Sequence, residues 1–479
     1  MRALADIGRC CHGNLYLVGG SVRDCLLGRD SNDLDIAVTR DADACAKKLI
    51  HMLGYGTFVD ISGPDDEAGR VVLRDIQVDF ASFRGGATTI EEDLRLRDFT
   101  CNSMALRFDL LVDGCGVELI DPMSGYNDLK NGKIRRCPAA FEADPVRMLR
   151  GYRLCARLDF SMDEETVAAI RKHADLINNS AVERIGYELK IIFESVRTSR
   201  TIREMAETNL LATLLPEIYL GAGVVQPGFH HLDVLGHCLL ALEKIEEIIA
   251  DPGRYYPDQE DLMVDYLGRE NSVRCLKWAA LMHDIGKPIT QNIREDKGGR
   301  ITFYNHDRRG AVMVDRIGER LKWGRADKKL ILLLIEMHMH PFHLCNVQRR
   351  GRVSRRAALK LCRRAGNDLA GLFLLAMSDS LAGSGEMKPV GMEEELGTLL
   401  KNILIIYHKD IRPVLTGPRL LTGRDLIKEF ALTPGPFFSV VLSELEVARV
   451  EGKVYDRESA LAWVDLFLKE VDAEKCGCN

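Results

Sequence analysis

The stretch Leu15–Val38, LYLVGGSVRDCLLGRDSNDLDIAV, reads as a short apolar strand, a glycine pair, a helix turn carrying Arg23 and Asp24, a second turn, and a strand opening with Asp33 and Asp35. Side chains two apart on a strand project from the same face, so the two aspartates point together into one pocket. Gly19 and Gly20 leave the backbone open to a phosphate because no side chain stands in the way. Carboxylates at this spacing suit the Mg²⁺ that bridges nucleotide phosphates, and Arg23, one turn on, is placed to fork onto phosphate oxygens.

Working outward, IQVDFASFR sets Asp79 among alternating apolar residues. Its carboxylate could complete the metal site or take a proton from an attacking hydroxyl; a structural aspartate on the other face fits the pattern equally well. EEDLRLRDFTCNSMAL ends a charged run at Arg97 and Asp98 before a segment of helical character, so Asp98 reads as its cap and Arg97 as a triphosphate ligand. DPMSGYNDLKNGKIRR is a turn-rich connector. From about Pro138 the pattern becomes helical, and Arg147, Arg150, Arg153 and Arg157 fall on one helix face behind Asp144 and Pro145. Four like charges on a stripe call for acidic or anionic partners. AVERIGYELKIIFESV makes another amphipathic helix, with Glu183 and Arg184 at its start.

The third region begins near Gln226. Its segments QPGFHHLDVLGHCLLALEKI, LKWAALMHDIGKP, FYNHDRRGA, IEMHMHPFH and FLLAMSDSLAG contain six candidate ligands in order: His237, His283, Asp284, His306, His338 and Asp379. Adjacent residues on a helix diverge by about 100°, yet one metal in a helical bundle can take both if other helices supply the rest. Imidazole and carboxylate without thiolate suit hydrolytic metal chemistry. The stretch 251–270 breaks the helical pattern and reads as an inserted loop.

Global numbers bound these readings. A chain of 479 residues exceeds one core and suggests about three domains. Lys plus Arg number 65 against 71 Asp plus Glu, a net charge of −6, so an RNA partner needs a local basic face. NVQRRGRVSRRAALKLCRRAGN, with eight Lys or Arg and no acid, reads as that face. The 14 cysteines form no paired CxxC units and read as reduced thiols, the Cys10–Cys11 pair and Cys476 and Cys478 included. The N-terminal MRALADIGRCCHGN lacks the apolar core of a signal peptide, and no uninterrupted apolar run of about 18 residues occurs. A soluble, cytoplasmic protein without a membrane partner is expected.

GGSVRDCLLG with DLD, RDFTCNSMAL, DPVRMLRGYRLCARLDF and VERIGYEL resemble, in that order, the motifs of class II tRNA nucleotidyltransferases and bacterial poly(A) polymerases. The later histidine segments resemble the HD phosphohydrolase domain. The resemblance implies an α+β chain: a nucleotidyltransferase head with a small mixed β-sheet (1–136), a helical neck (137–200), a helical linker (201–225), an HD domain (226–385) and a helical tail (386–479). It implies Mg²⁺ on Asp33 and Asp35 in the head and triphosphate held by Gly19, Gly20, Arg23 and Arg97; Asp79, from its strand position, is the candidate third catalytic carboxylate. It also implies incoming CTP or ATP read on the neck by Asp144 and Arg147 with Arg150 and Arg153 beside them, and tRNA as primer. In the HD domain it implies a divalent metal of unspecified identity on the six ligands above, opening phosphomonoester or 2′,3′-cyclic phosphate ends. No protein partner is implied.

Two features depart from the family pattern. Where the neck motif reads Glu-Asp-x-x-Arg, position 143 is alanine, with Glu142 one residue earlier, and this falls on base selection rather than on the chemistry. Only twelve residues separate Arg84 from Arg97, where many CCA-adding members carry a longer loop. Full CCA addition is the leading expectation. A poly(A) polymerase, a CC-adding or A-adding enzyme, and an HD phosphohydrolase with a silent RNA-binding head are the alternatives.

Overall fold

The computed structural model describes residues 3, 4, 6, 7, 15–63, 67–108, 110, 118–226 and 228–476. Cys10, Cys11 and Cys478 lie outside them. The chain forms two compact units, Met1–Pro216 and Glu217–Asn479.

The first unit is built on β1 (Tyr16–Val18), β2 (Asp33–Val38), β3 (Thr57–Asp60), β4 (Ala68–Val72), β5 (Gln77–Ser82) and β6 (Ala105–Arg107). They form one mixed sheet in the order β3-β4-β5-β2-β1-β6, with β2 and β5 parallel and the other neighbours antiparallel. Alternation buries Ile36, Val71, Val78 and Phe80 on the sheet, each contributing roughly 1.5–3 kcal/mol. Between β1 and β2, α1 (Gly19–Leu26) starts at Gly19, whose φ of +66° lets the chain turn from strand to helix without a Cβ clash. A second helix, α2 (Ala42–Leu53), packs on β4 and β5.

The segment after Asp98 is not a helix. Thr100–Asn102 makes one tight turn, and Ala105–Arg107 pairs with β1 as β6, because the free edge of β1 offers unpaired backbone groups to a buried apolar run. Asp98 therefore caps no helix. The connector Asp121–Arg136 is more ordered than its turn residues suggest, holding a short helix, Gly125–Lys130, and a strand, Lys133–Ile134.

The arginine-bearing helix is α3 (Val146–Leu158), packed against α4 (Val182–Glu194). Gly151 lets α3 lie on Phe99: a Cβ there would meet Phe99 Cζ at 2.8 Å. That approach brings the arginine face of α3 to the segment Leu96–Asp98.

The second unit is helical, apart from a small hairpin, Asn292–Arg294 with Arg300–Thr302. Its centre is Leu369–Ala382, whose residues are buried all round except Leu381, as befits a core helix. Around it pack α5 (Val234–Ala250), α6 (Ser272–Met282) and the helix Arg325–Met337. By length and composition, Arg325–Arg350 is the only run among the described residues able to cross a membrane; here it buries Leu334, Ile335 and His338 in the bundle.

Two sequence expectations change in this unit. The stretch 251–270 is helical, not an open loop: Tyr256, Met263 and Tyr266 are fully buried, and Tyr256 donates its hydroxyl to the Phe373 carbonyl at 2.7 Å. Pro257 and the flanking acids break the apolar pattern and hide this helical spacing. The basic run 346–367 is largely answered within the unit. Arg349 pairs with Glu395, Arg355 with Asp410, Arg356 with Glu444, Arg363 with Glu446 and Arg364 with Glu336. The acids lie far along the chain, so no local sequence window reveals them.

Candidate active site and metal centre

In the first unit, the turn into α1 is latched onto β2. The Gly20 N–H donates to Asp35 Oδ2 (3.1 Å), and the Ser21 hydroxyl accepts from the Asp35 N–H (2.7 Å) while donating to the Asp33 carbonyl (3.0 Å). Asp35 and Asp79 are register partners on the parallel strands β2 and β5, so their carboxylates share a face. Burial raises the Asp35 pKa, the Arg97 charge opposes the shift, and Asp79 adds to it. Two carboxylates side by side in a half-buried cleft are a donor set suited to a divalent cation. Asp33, two residues back on β2, is exposed at the sheet end. Both oxygens of Asp79 are gripped by Arg70 at 2.7 Å.

Arg97 is 7% exposed, and its guanidinium is oriented by Asp93 (2.8 and 3.0 Å), leaving Nη1 facing the Gly19 turn. Burial, with Arg84 nearby, lowers its pKa to about 10. Arg84 binds the other face of Asp93 (3.1 Å). Two arginines thus share one carboxylate, so the guanidinium charge at the Gly19 turn exceeds that of Asp93 alone, the kind of group a polyphosphate recruits.

Asp98 joins this cleft to α3. It accepts from the Phe99 N–H (2.9 Å) and the Asn102 amide (3.1 Å) and pairs with Arg150 Nε (2.9 Å). Burial pushes its pKa up, but Arg150, Asn102 and Arg147 outweigh that and hold it at about 2. Arg147 donates to the carbonyls of Leu96 and Arg97 (3.3 and 3.4 Å), and Asp144 is paired with Arg184 at 2.6 Å.

Two adjoining clefts result. One, of about 160 Å³, is lined by Gly19, Gly20, Asp35, Asp79, Arg84 and Arg97 and reaches Asp144, Arg147 and Arg150. The other, of about 250 Å³, shares those last three and continues to Arg184, Tyr187 and Glu188.

Of the residues singled out from sequence, Gly19, Gly20, Asp35, Asp79, Arg97, Asp144, Arg147 and Arg150 line these clefts, and Asp33, Arg23 and Arg153 do not. The fork of Arg23 is taken by Asp24 (2.8 and 2.9 Å) and its remaining arm by Asn102, and Arg153 is held by Glu188 at 2.5 Å. The acids expected to answer the arginine stripe are therefore Asp98, Asp144 and Glu188. Sequence reasoning missed Arg84, Asn102, Arg184 and Tyr187 as site residues. The latter two sit at the fixed spacing of the α4 motif ERIGYE, which was the available signal.

In the second unit, six side chains from five segments converge. His237 comes from α5, His283 and Asp284 follow α6, His306 opens the helix His306–Arg320, His338 follows Arg325–Met337, and Asp379 lies on the central helix. Gly286 permits the closest approach, since a Cβ there would collide with the His306 carbonyl. His237 Nε2 is 3.1 Å from His283 Nε2 and 3.0 Å from Asp379 Oδ1, while His306 Nε2 is 3.1 Å from His338 Nε2 and 3.3 Å from Asp284 Oδ1. Each ring turns Nδ1 to a backbone carbonyl: Ala382, Ala280, Phe303 and Ile335 in turn. With Nδ1 protonated, the Nε2 lone pairs face one another, an arrangement a cation relieves.

Burial and neighbouring imidazoles lower His338 to about 3, leaving it neutral as a ligand must be. Asp284 faces both clusters, and although burial would raise it, Lys287 at 2.5 Å and His283 hold it well below the carboxylate range. His230, missed from sequence, joins His237 and Asp379 as a further possible ligand, and Lys287, also missed, lies between Asp284 and Gln226. Among the described residues, all groups of three potential ligands within 4.8 Å lie in this unit. The residues fit one or two divalent cations.

A glycine turn beside paired carboxylates on a mixed sheet, joined to an arginine-lined helix, defines a nucleotidyltransferase head and neck; the second unit adds an HD-type centre. Residues 15–135 match the poly A polymerase head domain, 159–220 the probable RNA and SrmB-binding site of polymerase A, and 234–365 the HD domain. The A-adding tRNA nucleotidyltransferase of Deinococcus radiodurans is 33% identical over 465 residues, covering 95% of each chain. The CC-adding tRNA nucleotidyltransferase of Thermus thermophilus is 29% identical over 460 residues, 94% of this chain and 92% of that one. A CCA-adding enzyme solved with ATP superposes with a TM-score of 0.65 at 22% identity, over 98% of this chain and 93% of that one, a likeness of fold. The protein belongs to the tRNA nucleotidyltransferase family and is a nucleotidyltransferase.

Proposed function

We propose that this enzyme builds or repairs the 3′-terminal CCA of tRNA from CTP and ATP, in the cytoplasm. The observation that carries the reading is the adjoining pair of clefts, where phosphate-binding and carboxylate groups meet Asp144 and Arg147. Asp35 in the cleft, with Asp33 two residues back at the exposed end of the same strand, would hold Mg²⁺, which when bound screens the triphosphate and favours the ionised primer hydroxyl. Gly19, Gly20 and Arg97, with Arg84 behind, hold the phosphates. Asp79, beside Asp35 and paired with Arg70, would be the candidate proton acceptor. The primer 3′-oxygen forms a bond to the α-phosphorus, the bond to the β-phosphate oxygen breaks, and pyrophosphate leaves. Asp144 and Arg147 offer an acceptor and donors to the edge of the incoming base, in place of a template strand. Arg150, fixed by Asp98, holds the helix in register, and Arg153 acts from behind through Glu188.

A second reading, addition of only the cytidines or only the final adenosine, is favoured by the full-length relatives, which are named A-adding and CC-adding. Glu142 also turns to His173 (3.3 Å) and lines neither cleft. Transcripts ending at the discriminator base or after CC, each incubated with CTP, ATP or both, separate the readings. Complete CCA on the first transcript supports the primary one. Extension of only one transcript assigns a partial activity, and long A tails would replace both with poly(A) synthesis.

For the HD-type centre the reading is a phosphohydrolase acting on phosphomonoester or 2′,3′-cyclic phosphate ends with a divalent metal. Its support is the converging Nε2 and carboxylate donors. Loss of end hydrolysis on metal removal, restored by adding one divalent metal, tests it.

A further inference from the structure

Tyr187 has no part in the chemistry described so far. Its side chain is 62% exposed on α4, three residues after Arg184, and it lines the 250 Å³ cleft together with Asp144, Arg147 and Arg184. Its phenol also lies within electrostatic reach of Arg70, the residue that grips Asp79 beside Asp35. The ring therefore stands at the cleft wall beside Asp144, Arg147 and Arg184, within electrostatic reach of β4, whose Arg70 grips Asp79.

A nucleobase bound by its edge to Asp144 and Arg147 leaves its two π faces uncovered. In a template-free site no complementary strand stacks on them. An exposed tyrosine presents a rigid apolar face at little conformational cost, and base–aromatic stacking tolerates either cytosine or adenine because every base has a π face. The surrounding arginines draw the polyanionic ligand toward the ring.

We infer that Tyr187 is a stacking platform for a nucleobase at the mouth of the active cleft. The inference rests on the reading of Asp144 and Arg147 as the base-edge contacts. The base is either that of the incoming nucleotide or the terminal base of the RNA primer, and kinetics tell the two apart.

The test uses the full-length protein, a tRNA transcript it extends, and the nucleotide it adds. Tyr187→Phe keeps the ring, Tyr187→Leu keeps bulk without a π face, and Tyr187→Ala removes both. The expected result is parental kinetics for Phe and a loss of about tenfold in kcat/KM for Leu and Ala, the scale of one base–aromatic stack. A rise in KM for the nucleotide assigns the incoming base, and a rise in KM for the transcript assigns the primer base. Inhibition by inorganic tripolyphosphate, which has no base, stays unchanged in all three. Parental kinetics for Leu and Ala, or a Phe variant as impaired as Ala, would overturn the inference. A separate control, Asp144→Ala, reports on the cleft: if nucleotide selectivity survives that change, the base-edge reading fails whatever Tyr187 shows.

Discussion

Asp98 is buried and yet strongly acidic, because the groups facing it outweigh desolvation. Its folded-state pKa of about 2 lies below the ordinary 3.8. A depressed carboxylate contributes stability that is present above its unfolded pKa and lost as pH falls toward the folded one, here between about pH 4 and pH 2. The shift corresponds to about 2 kcal/mol. Asp98→Asn should therefore destabilise the protein at neutral pH by at least that order, since Arg150 also loses its partner. Denaturant unfolding of the variant should show a flatter dependence on pH across this window than the parent. At this scale the sequence was most informative for residues tied to a local turn, such as Gly19, Gly20 and Asp35. It was least informative for Arg23, whose neighbour Asp24 takes its fork, and for Asp98, whose value comes from partners on another helix.

Secondary-structure elements place these groups, and their close contacts depend on particular small residues. Gly286 sits where the turn after Asp284 meets the start of the helix His306–Arg320. Gly286→Ala should push that helix away and carry His306 out of the cluster. A metal affinity roughly 10–100-fold weaker is expected, the scale of disturbed ligand support, measured by titrating the chelated protein with Mn²⁺. The helix Arg355–Ala365 shows how an element misleads when read alone. Its arginines face Asp410, Glu444, Glu446 and Glu336, so its charge closes a seam within the second unit. Replacing Arg356 and Arg363 by alanine should leave tRNA affinity and its salt slope unchanged, where a phosphate-binding face would lose about one unit of slope per contact. The stability cost should be small, about 0.2–1 kcal/mol for each exposed pair, read from the urea midpoint. The segment Cys101–Leu106 carries the same lesson: its helical look yields to pairing with the free edge of β1.

Across the whole molecule, two candidate sites occupy separate units, each with its own set of converging residues and its own core. Asp35→Ala should lower nucleotide incorporation by on the order of 10²–10³-fold while leaving hydrolysis of a 2′,3′-cyclic phosphate end intact. His283→Ala should do the reverse. Radiolabel incorporation and an end-hydrolysis assay on the same preparations check both, and a variant that loses both activities would argue against separate sites. The sequence by itself determined the order of strand, glycine turn and aspartate strand, the arginine helix, and the six histidine and aspartate residues that converge in the second unit, because each depends on spacing within one short element or on chemistry carried by residue type. Only the tertiary structure decided which arginines face the clefts and which are spent on acids. It also decided that the basic helix is an internal seam and that Tyr187 stands open beside Asp144. Those outcomes depend on partners far apart in the chain, which packing alone brings within reach.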